Sequence, residues 1–216
     1  MLVEEIMKTD VVTLSPSASI REALSLLQKH RIRHIPIIDN DHQVIGIVSD
    51  RDVRDASPSI LDKSSEQNVL EHNIESIMST PVTTVHPLDF VEEIACIFYD
   101  EEFASLPVIR NNKLVGIVTE KDMLYTLIQL TGTNVQSSHI EVKVPHVPGI
   151  LPEVTSVFGK RKTNITSLLI YPYKDDPNYK ILVFRIQTMN PMPVIQDLRD
   201  AGYELMWPNN ISEPKV

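Results

Sequence analysis

Val44-Ile45-Gly46-Ile47-Val48-Ser49-Asp50-Arg51-Asp52-Val53 returns later in the same chain as Leu114-Val115-Gly116-Ile117-Val118-Thr119-Glu120-Lys121-Asp122-Met123, at a spacing of 70. Upstream, the matches stand 71 apart: Ile6-Met7 with Ile77-Met78, Val11-Val12-Thr13 with Val82-Thr83-Thr84, and His34-Ile35-Pro36-Ile37-Ile38 with Ser105-Leu106-Pro107-Val108-Ile109. One deleted residue accounts for the change. A repeat this long marks a duplicated fold unit, and two copies that cannot bury their apolar faces alone pack against each other. Function is expected at the seam between them.

Each copy reads as strand, helix, strand, strand, helix. Val11 to Leu14 is a short β-prone run, and Ser19-Ile20-Arg21-Glu22 offers a capping box for a helix that buries Ile20, Ala23, Leu24 and Leu27. Asp89 and Glu92 open the matching helix of the second copy. Next come Ile35 to Ile38, a turn at Asp39-Asn40-Asp41 (Asn111-Asn112 in the second copy), the apolar strand Val44 to Val48, and a last helix starting near Ser49 or Thr119. In the second copy that helix extends through Met123, Leu124, Leu127 and Ile128. The copies span residues 1–56 and 74–130, with a polar connector over 57–73.

A break at TGTNVQSS, residues 131–138, is read as a linker, after which the pattern changes. Over 139–209 the order is strand, helix, strand, strand, helix, strand, the βαββαβ arrangement of a ferredoxin-like half-open sandwich; residues 210–216 form a tail. The fold class is therefore mixed α/β, a duplicated module followed by a ferredoxin-like unit. Open sheet edges and an uncovered sheet face favour self-association, so a homodimer is expected.

Composition narrows the function. The 216 residues are 42% hydrophobic, enough for packed cores. No apolar run approaches the roughly 20 residues that span a bilayer. MLVEEIMKTD places acids where a signal peptide carries basic residues, so a cytoplasmic protein without a membrane partner is expected. The net charge of -9 divides into -10 over residues 1–138 (11 Lys+Arg, 21 Asp+Glu) and +1 over 139–216 (9 and 8). That balance lacks the basic face that neutralises phosphates, and so argues against nucleic acid. Cys96, the single cysteine, excludes a disulfide framework and reads as a small buried hydrophobe. The seven histidines lack metal-ligand spacing. No Gly-x-Ser-x-Gly elbow, Gly-x-x-x-x-Gly-Lys-Ser/Thr loop or His-Glu-x-x-His helix occurs, so no catalytic residue is assigned.

The doubled pattern of glycine, two apolar residues, Ser or Thr, two variable residues and aspartate, with the upstream x-x-Pro strand, resembles a pair of CBS domains over residues 1–130. The resemblance implies a pseudo-symmetric disc with two clefts for adenosine-containing ligands: AMP, ADP, ATP, NADH or S-adenosylmethionine. The residues suit that chemistry. One carboxylate accepts from both hydroxyls of a ribose, which fits Asp52 and Asp122. Ser49 and Thr119 stand where a strand passes into a helix, whose free N–H groups favour an anion. Gly46 and Gly116 let a planar base come close, and Val12, Ile35, Val82 and Leu106 wall it. Ser-x-x-Asp and Thr-x-x-Asp before an apolar run are also capping boxes that need no ligand, and both roles can hold at once.

Charge separates the copies: Arg31, Arg33, His34, Arg51 and Arg54 surround the first motif, whereas Glu102, Ala104 and Ser105 replace the first three in the second. One cleft suited to polyphosphate and one of different selectivity are expected. The candidate contacts are Val12, Thr13, Arg33, His34, Ile35, Pro36, Ser49, Arg51 and Asp52 from the first copy. Val82, Leu106, Pro107, Thr119, Lys121 and Asp122 complete them from the second.

VPHVPGILPEV, Val144 to Val154, with TNITSLLIYP, Thr163 to Pro172, resembles an ACT domain, a regulatory module whose ligand site lies near the glycine, here Gly149. His146-Val147 stands where that family commonly has an acidic or amide residue followed by Arg, so dimerisation is the firmer implication. The order CBS, CBS, ACT, with HPLDFVEEI (His86 to Ile94) and FRIQTMNPMP (Phe184 to Pro193), resembles the acetoin-utilisation protein B family. That implies a noncatalytic regulator in acetoin and butanediol breakdown with a protein partner there; a nucleotide-independent adaptor is the alternative.

Overall fold

The computed structural model describes residues 1–56 and 69–208. They fall into two compact units, Met1–Leu124 and Tyr125–Val216. Most of the expected connector and all of the expected tail lie outside the described residues.

In the first copy, α1 (Ile20–His30) leads to the antiparallel hairpin β1 (His34–Ile38) and β2 (Val44–Ser49) and then to α2 (Asp50–Ala56). The second copy repeats this as α3 (Val91–Asp100), β3 (Ser105–Arg110), β4 (Lys113–Thr119) and α4 (Glu120–Thr131). Ser19 caps α1 as expected, its Oγ accepting from Glu22 N–H at 3.1 Å, while Ile20, Ala23 and Leu27 are buried. Asp39 Oδ1 accepts from the Asp41 and Gln43 N–H groups, both at 2.9 Å, and closes the first turn. In the second, Asn111 and Asn112 take φ of 53° and 62°, the left-handed pair that a two-residue hairpin demands.

Three expectations fail locally. Val11 to Leu14 and its counterpart form no strand; only Leu14 and Val85 make isolated parallel bridges, to Ile37 and Val108. The run is too short for a ladder, and the bridges use the carbonyls of Pro36 and Pro107. Asp89 does not cap α3: Phe90 holds that position, and Asp89 Oδ2 accepts from His86 N–H at 2.7 Å in the preceding turn. Cys96 is exposed on α3, because Val91, Ile94 and Phe98 make up that helix's buried stripe.

The leading segments cross over. Val3 is wholly buried with Val85, Ile94, Phe98 and Leu106 in the core of the second copy, and Ile74 is wholly buried with Ile35, Ile37, Val48 and Val53 in that of the first. Lys8 exchanges backbone hydrogen bonds of 2.9 and 3.0 Å with Ile117 on β4; Ser79 does the same with Ile47 on β2, at 3.1 and 2.8 Å. The β2 and β4 edges are thereby each bridged by the other copy. This arrangement corrects the reading of the two motif glycines. A Cβ at Gly116 would lie 2.6 Å from Met7 Sδ, and one at Gly46 would collide with Met78 Sδ. The space is filled by crossing methionines, not kept for a base.

The second unit consists of β5 (Ser138–Pro145), α5 (Ile150–Lys160), β6 (Ile165–Pro172), β7 (Tyr179–Ile186), α6 (Met192–Asp200) and β8 (Glu204–Trp207). Its antiparallel sheet has the ferredoxin-like order β6-β7-β5-β8. Alternation along β5 sends Ile140, Val142 and Val144 to the helix side, where they pack with Val154, Phe158, Ile195 and Leu198. Gly149, at φ 89°, turns the chain from β5 into α5. Leu169, Ile170 and Tyr171 on the edge strand β6 are exposed.

Candidate functional site

Both motif carboxylates begin as caps. Asp52 Oδ2 accepts from the Ser49 N–H and hydroxyl, both at 2.7 Å, while Ser49 Oγ accepts from Asp52 N–H at 3.1 Å. Asp122 Oδ2 accepts from the Thr119 N–H at 2.9 Å and hydroxyl at 2.5 Å. These bonds fix each carboxylate where a strand turns into its helix. The second oxygens differ. Among the described residues Asp52 Oδ1 has no partner, whereas Asp122 Oδ1 pairs with Lys8 Nζ at 3.1 Å.

The caps also correct the expectation of free amides. Ser49 N–H is taken by Asp52, Asp50 N–H by Arg33 O and Asp52 N–H by Ser49 Oγ. On the other side Thr119 N–H is taken by Asp122 and Glu120 N–H by Ala104 O. Side-chain cations, more than helix amides, are left to meet an anion.

Two clefts open at the seam, each built from both copies. The Ser49 cleft, about 530 Å³, combines Ser49, Arg51 and Asp52 with Val82 and Thr83 of the second copy's leading segment. The Thr119 cleft, about 370 Å³, combines Thr119 and Lys121 with Val11 and Val12 of the first. Both volumes lie in the range of small-molecule sites. Arg33, His34, Ala104 and Glu120 line both and form their shared wall.

Charge is unequal. Lys8, Arg31, Arg33 and Lys121 line the Thr119 cleft against Asp10 and Glu120. Arg33, Arg51 and Arg54 line the Ser49 cleft against Asp50, Asp52, Glu102 and Glu120, with Arg54 held by Asp50 at 3.1 Å. Arg31 caps the end of α1 and its counterpart Glu102 follows the cap of α3, with φ of 53° and 55°, and they line opposite clefts. The arginine cluster is therefore divided between the clefts. Burial holds the His34 imidazole below its ordinary range, and Arg33 adds to this; Asp50, Asp52 and Glu120 oppose it.

Of the candidate contacts, Val12, Arg33, His34, Ser49, Arg51, Asp52, Val82, Thr119 and Lys121 line a cleft. Asp122 does not, Lys8 of the same ion pair lining the Thr119 cleft in its place; nor do Ile35 and Leu106, both wholly buried in the two cores. Pro36 and Pro107 are buried strand residues whose carbonyls receive the bridges described above. Thr13 lines a separate shallow hollow beside Leu14 and Asp39, and Gly149 belongs to the second unit. Lys8 and Glu120 were missed, and Glu102, read only as the replacement of Arg31, lines the Ser49 cleft. Lys8 and Ser79 occupy equivalent repeat positions with different charge, a signal already present in the sequence.

A family model for the CBS domain matches residues 3–59 and 74–129, together just over half of the chain. A CBS domain-containing protein of Dictyostelium discoideum is 30% identical over 135 residues, 60% of this chain and 93% of that protein. Seven further curated relatives are longer, and the chain spans between 21% and 49% of their length. Among solved structures, an acetoin utilization protein (AcuB) of Vibrio cholerae is 31% identical with a TM-score of 0.55, covering 64% of this chain and 98% of that one. The CBS domain pair of protein MJ0100, in complex with methylthioadenosine and S-adenosylmethionine, is 30% identical with a TM-score of 0.51, covering 59% and 95%. CBSX2 in complex with AMP is 25% identical with a TM-score of 0.52, covering 59% and 96%.

Proposed function

The chain belongs to the CBS-domain family, and from that premise we propose that it is a noncatalytic regulator that binds an adenosine nucleotide at the seam of its two copies. The observation that carries this is Asp52. Its Oδ2 is fixed by Ser49, its Oδ1 is unpartnered among the described residues, and it lines a cleft to which both copies contribute. A ribose diol supplies two donors for such a carboxylate. The AMP, S-adenosylmethionine and methylthioadenosine held by related CBS pairs support the ligand class.

Because each cleft joins the cap of one copy to the leading segment of the other, a ligand that binds differently in two packings of the copies shifts their balance. The second unit is proposed as an ACT domain that makes the chain a homodimer through the exposed β6 edge. Acetoin and butanediol breakdown is the proposed setting, supported by the likeness to the Vibrio cholerae protein. Calorimetric titration of the full chain with AMP, ADP, ATP, NADH and S-adenosylmethionine tests the reading. Binding of at least one is expected, together with adenine absorbance released on denaturing protein purified from cells. No binding by any of the five contradicts it.

A further inference from the structure

We propose that Lys8 makes the Thr119 cleft selective for adenosine ligands that carry a 5′-phosphate, while the Ser49 cleft accepts phosphate-free adenosines; this rests on the adenosine reading above. The two carboxylates are equivalent in sequence but not in surroundings. Lys8 Nζ stands 3.1 Å from Asp122 Oδ1, and Lys8 lines the Thr119 cleft where Asp122 itself does not. At the equivalent position of the other cleft is Ser79, which carries no charge, and there Asp52 lines the cleft directly.

A ribose that reaches for Asp122 must displace the ammonium. If the ligand ends in a neutral group, the lysine is left without its anion. If it ends in a phosphate, the lysine exchanges one anion for another, and the charge-assisted bond is regained. The backbone bonds of Lys8 to Ile117 tether it at this cleft, while a side chain 58% exposed has room to swing. Its pair with Asp122, whose side chain is 15% exposed, is only partly screened by water.

The remaining charges agree. Arg31, Arg33 and Lys121 reinforce a phosphate in the Thr119 cleft. Glu102 stands in the Ser49 cleft where Arg31 stands in the other, and with Glu120 it opposes a phosphate there.

The test is calorimetric titration of the full chain with AMP and with methylthioadenosine. Asp52→Asn protein isolates the Thr119 cleft, with and without Lys8→Ser. In Asp52→Asn protein AMP is expected to bind about tenfold or more tighter than methylthioadenosine. Adding Lys8→Ser is expected to cut that preference to a few-fold at most, by weakening AMP and strengthening methylthioadenosine; Lys8→Arg is expected to keep it. A preference that Lys8→Ser leaves unchanged overturns the assignment while adenosine binding stands. Loss of all AMP binding in Asp52→Asn protein, with wild type still binding, also overturns it. Failure of wild type to bind either ligand overturns the adenosine reading itself.

Discussion

Asp52 has two roles that substitution can separate. Asp52→Ala removes the acceptor for the Ser49 N–H and hydroxyl and is expected to lower stability by about 0.5–2 kcal/mol, the usual value of a helix cap. Asp52→Asn keeps an acceptor and is expected to lose less than half as much, yet to weaken methylthioadenosine in the Ser49 cleft about tenfold. Urea unfolding reads the first effect and calorimetry the second. His34 makes the other residue-scale prediction. Its imidazole is held below 6.5 in the fold, so between that lowered value and 6.5 the unfolded chain binds the extra proton. The contribution of His34 is complete above pH 6.5 and declines as pH falls through the window beneath it. Urea midpoints at pH 7.5 and 5.5 are expected to differ more in wild type than in His34→Gln; equal differences contradict this.

At the scale of elements, the crossed leading segments hold the copies together. Gly116→Ala sets a methyl against Met7 and the Lys8 carbonyl, and is expected to cost about 1–3 kcal/mol as overpacking. Met7→Ala in the same chain is expected to restore part of it, measured by thermal unfolding. This element also shows what the sequence could reveal. Ser19, the Asp39 and Asn111-Asn112 turns and the Val-Ile strands carry their own geometry, so helices and hairpins were legible. The crossing was not, because Ile6-Met7 and Ile77-Met78 fit either core equally well as apolar pairs. That ambiguity left Gly46 and Gly116 open to a base, where the crossing methionines stand; Ile35 and Leu106, read as cleft walls, lie in the two cores. The caps were legible as residues whose spacing forces them together; the Lys8 contact with Asp122, 114 residues apart, depends on the crossing.

For the whole molecule, the net charge of -9 coexists with a Thr119 cleft lined by four cations, so nucleotide affinity there is expected to fall as salt rises. The chain is proposed to dimerise through β6, whose exposed Leu169, Ile170 and Tyr171 lie on a sheet edge. Sedimentation of Ile170→Lys is expected to give a monomer from a dimeric wild type; an unchanged dimer places the interface elsewhere. Among the described residues no helix is long and apolar enough to cross a membrane. The central claim, that the duplicated half holds a nucleotide by its sugar, is tested most directly by a crystal structure of the full chain grown with saturating AMP. The account predicts both ribose hydroxyls within hydrogen-bonding distance of Asp52 or Asp122, with each carboxylate still capping its own helix. Density for AMP away from both carboxylates, or clefts filled by protein side chains alone, contradicts it.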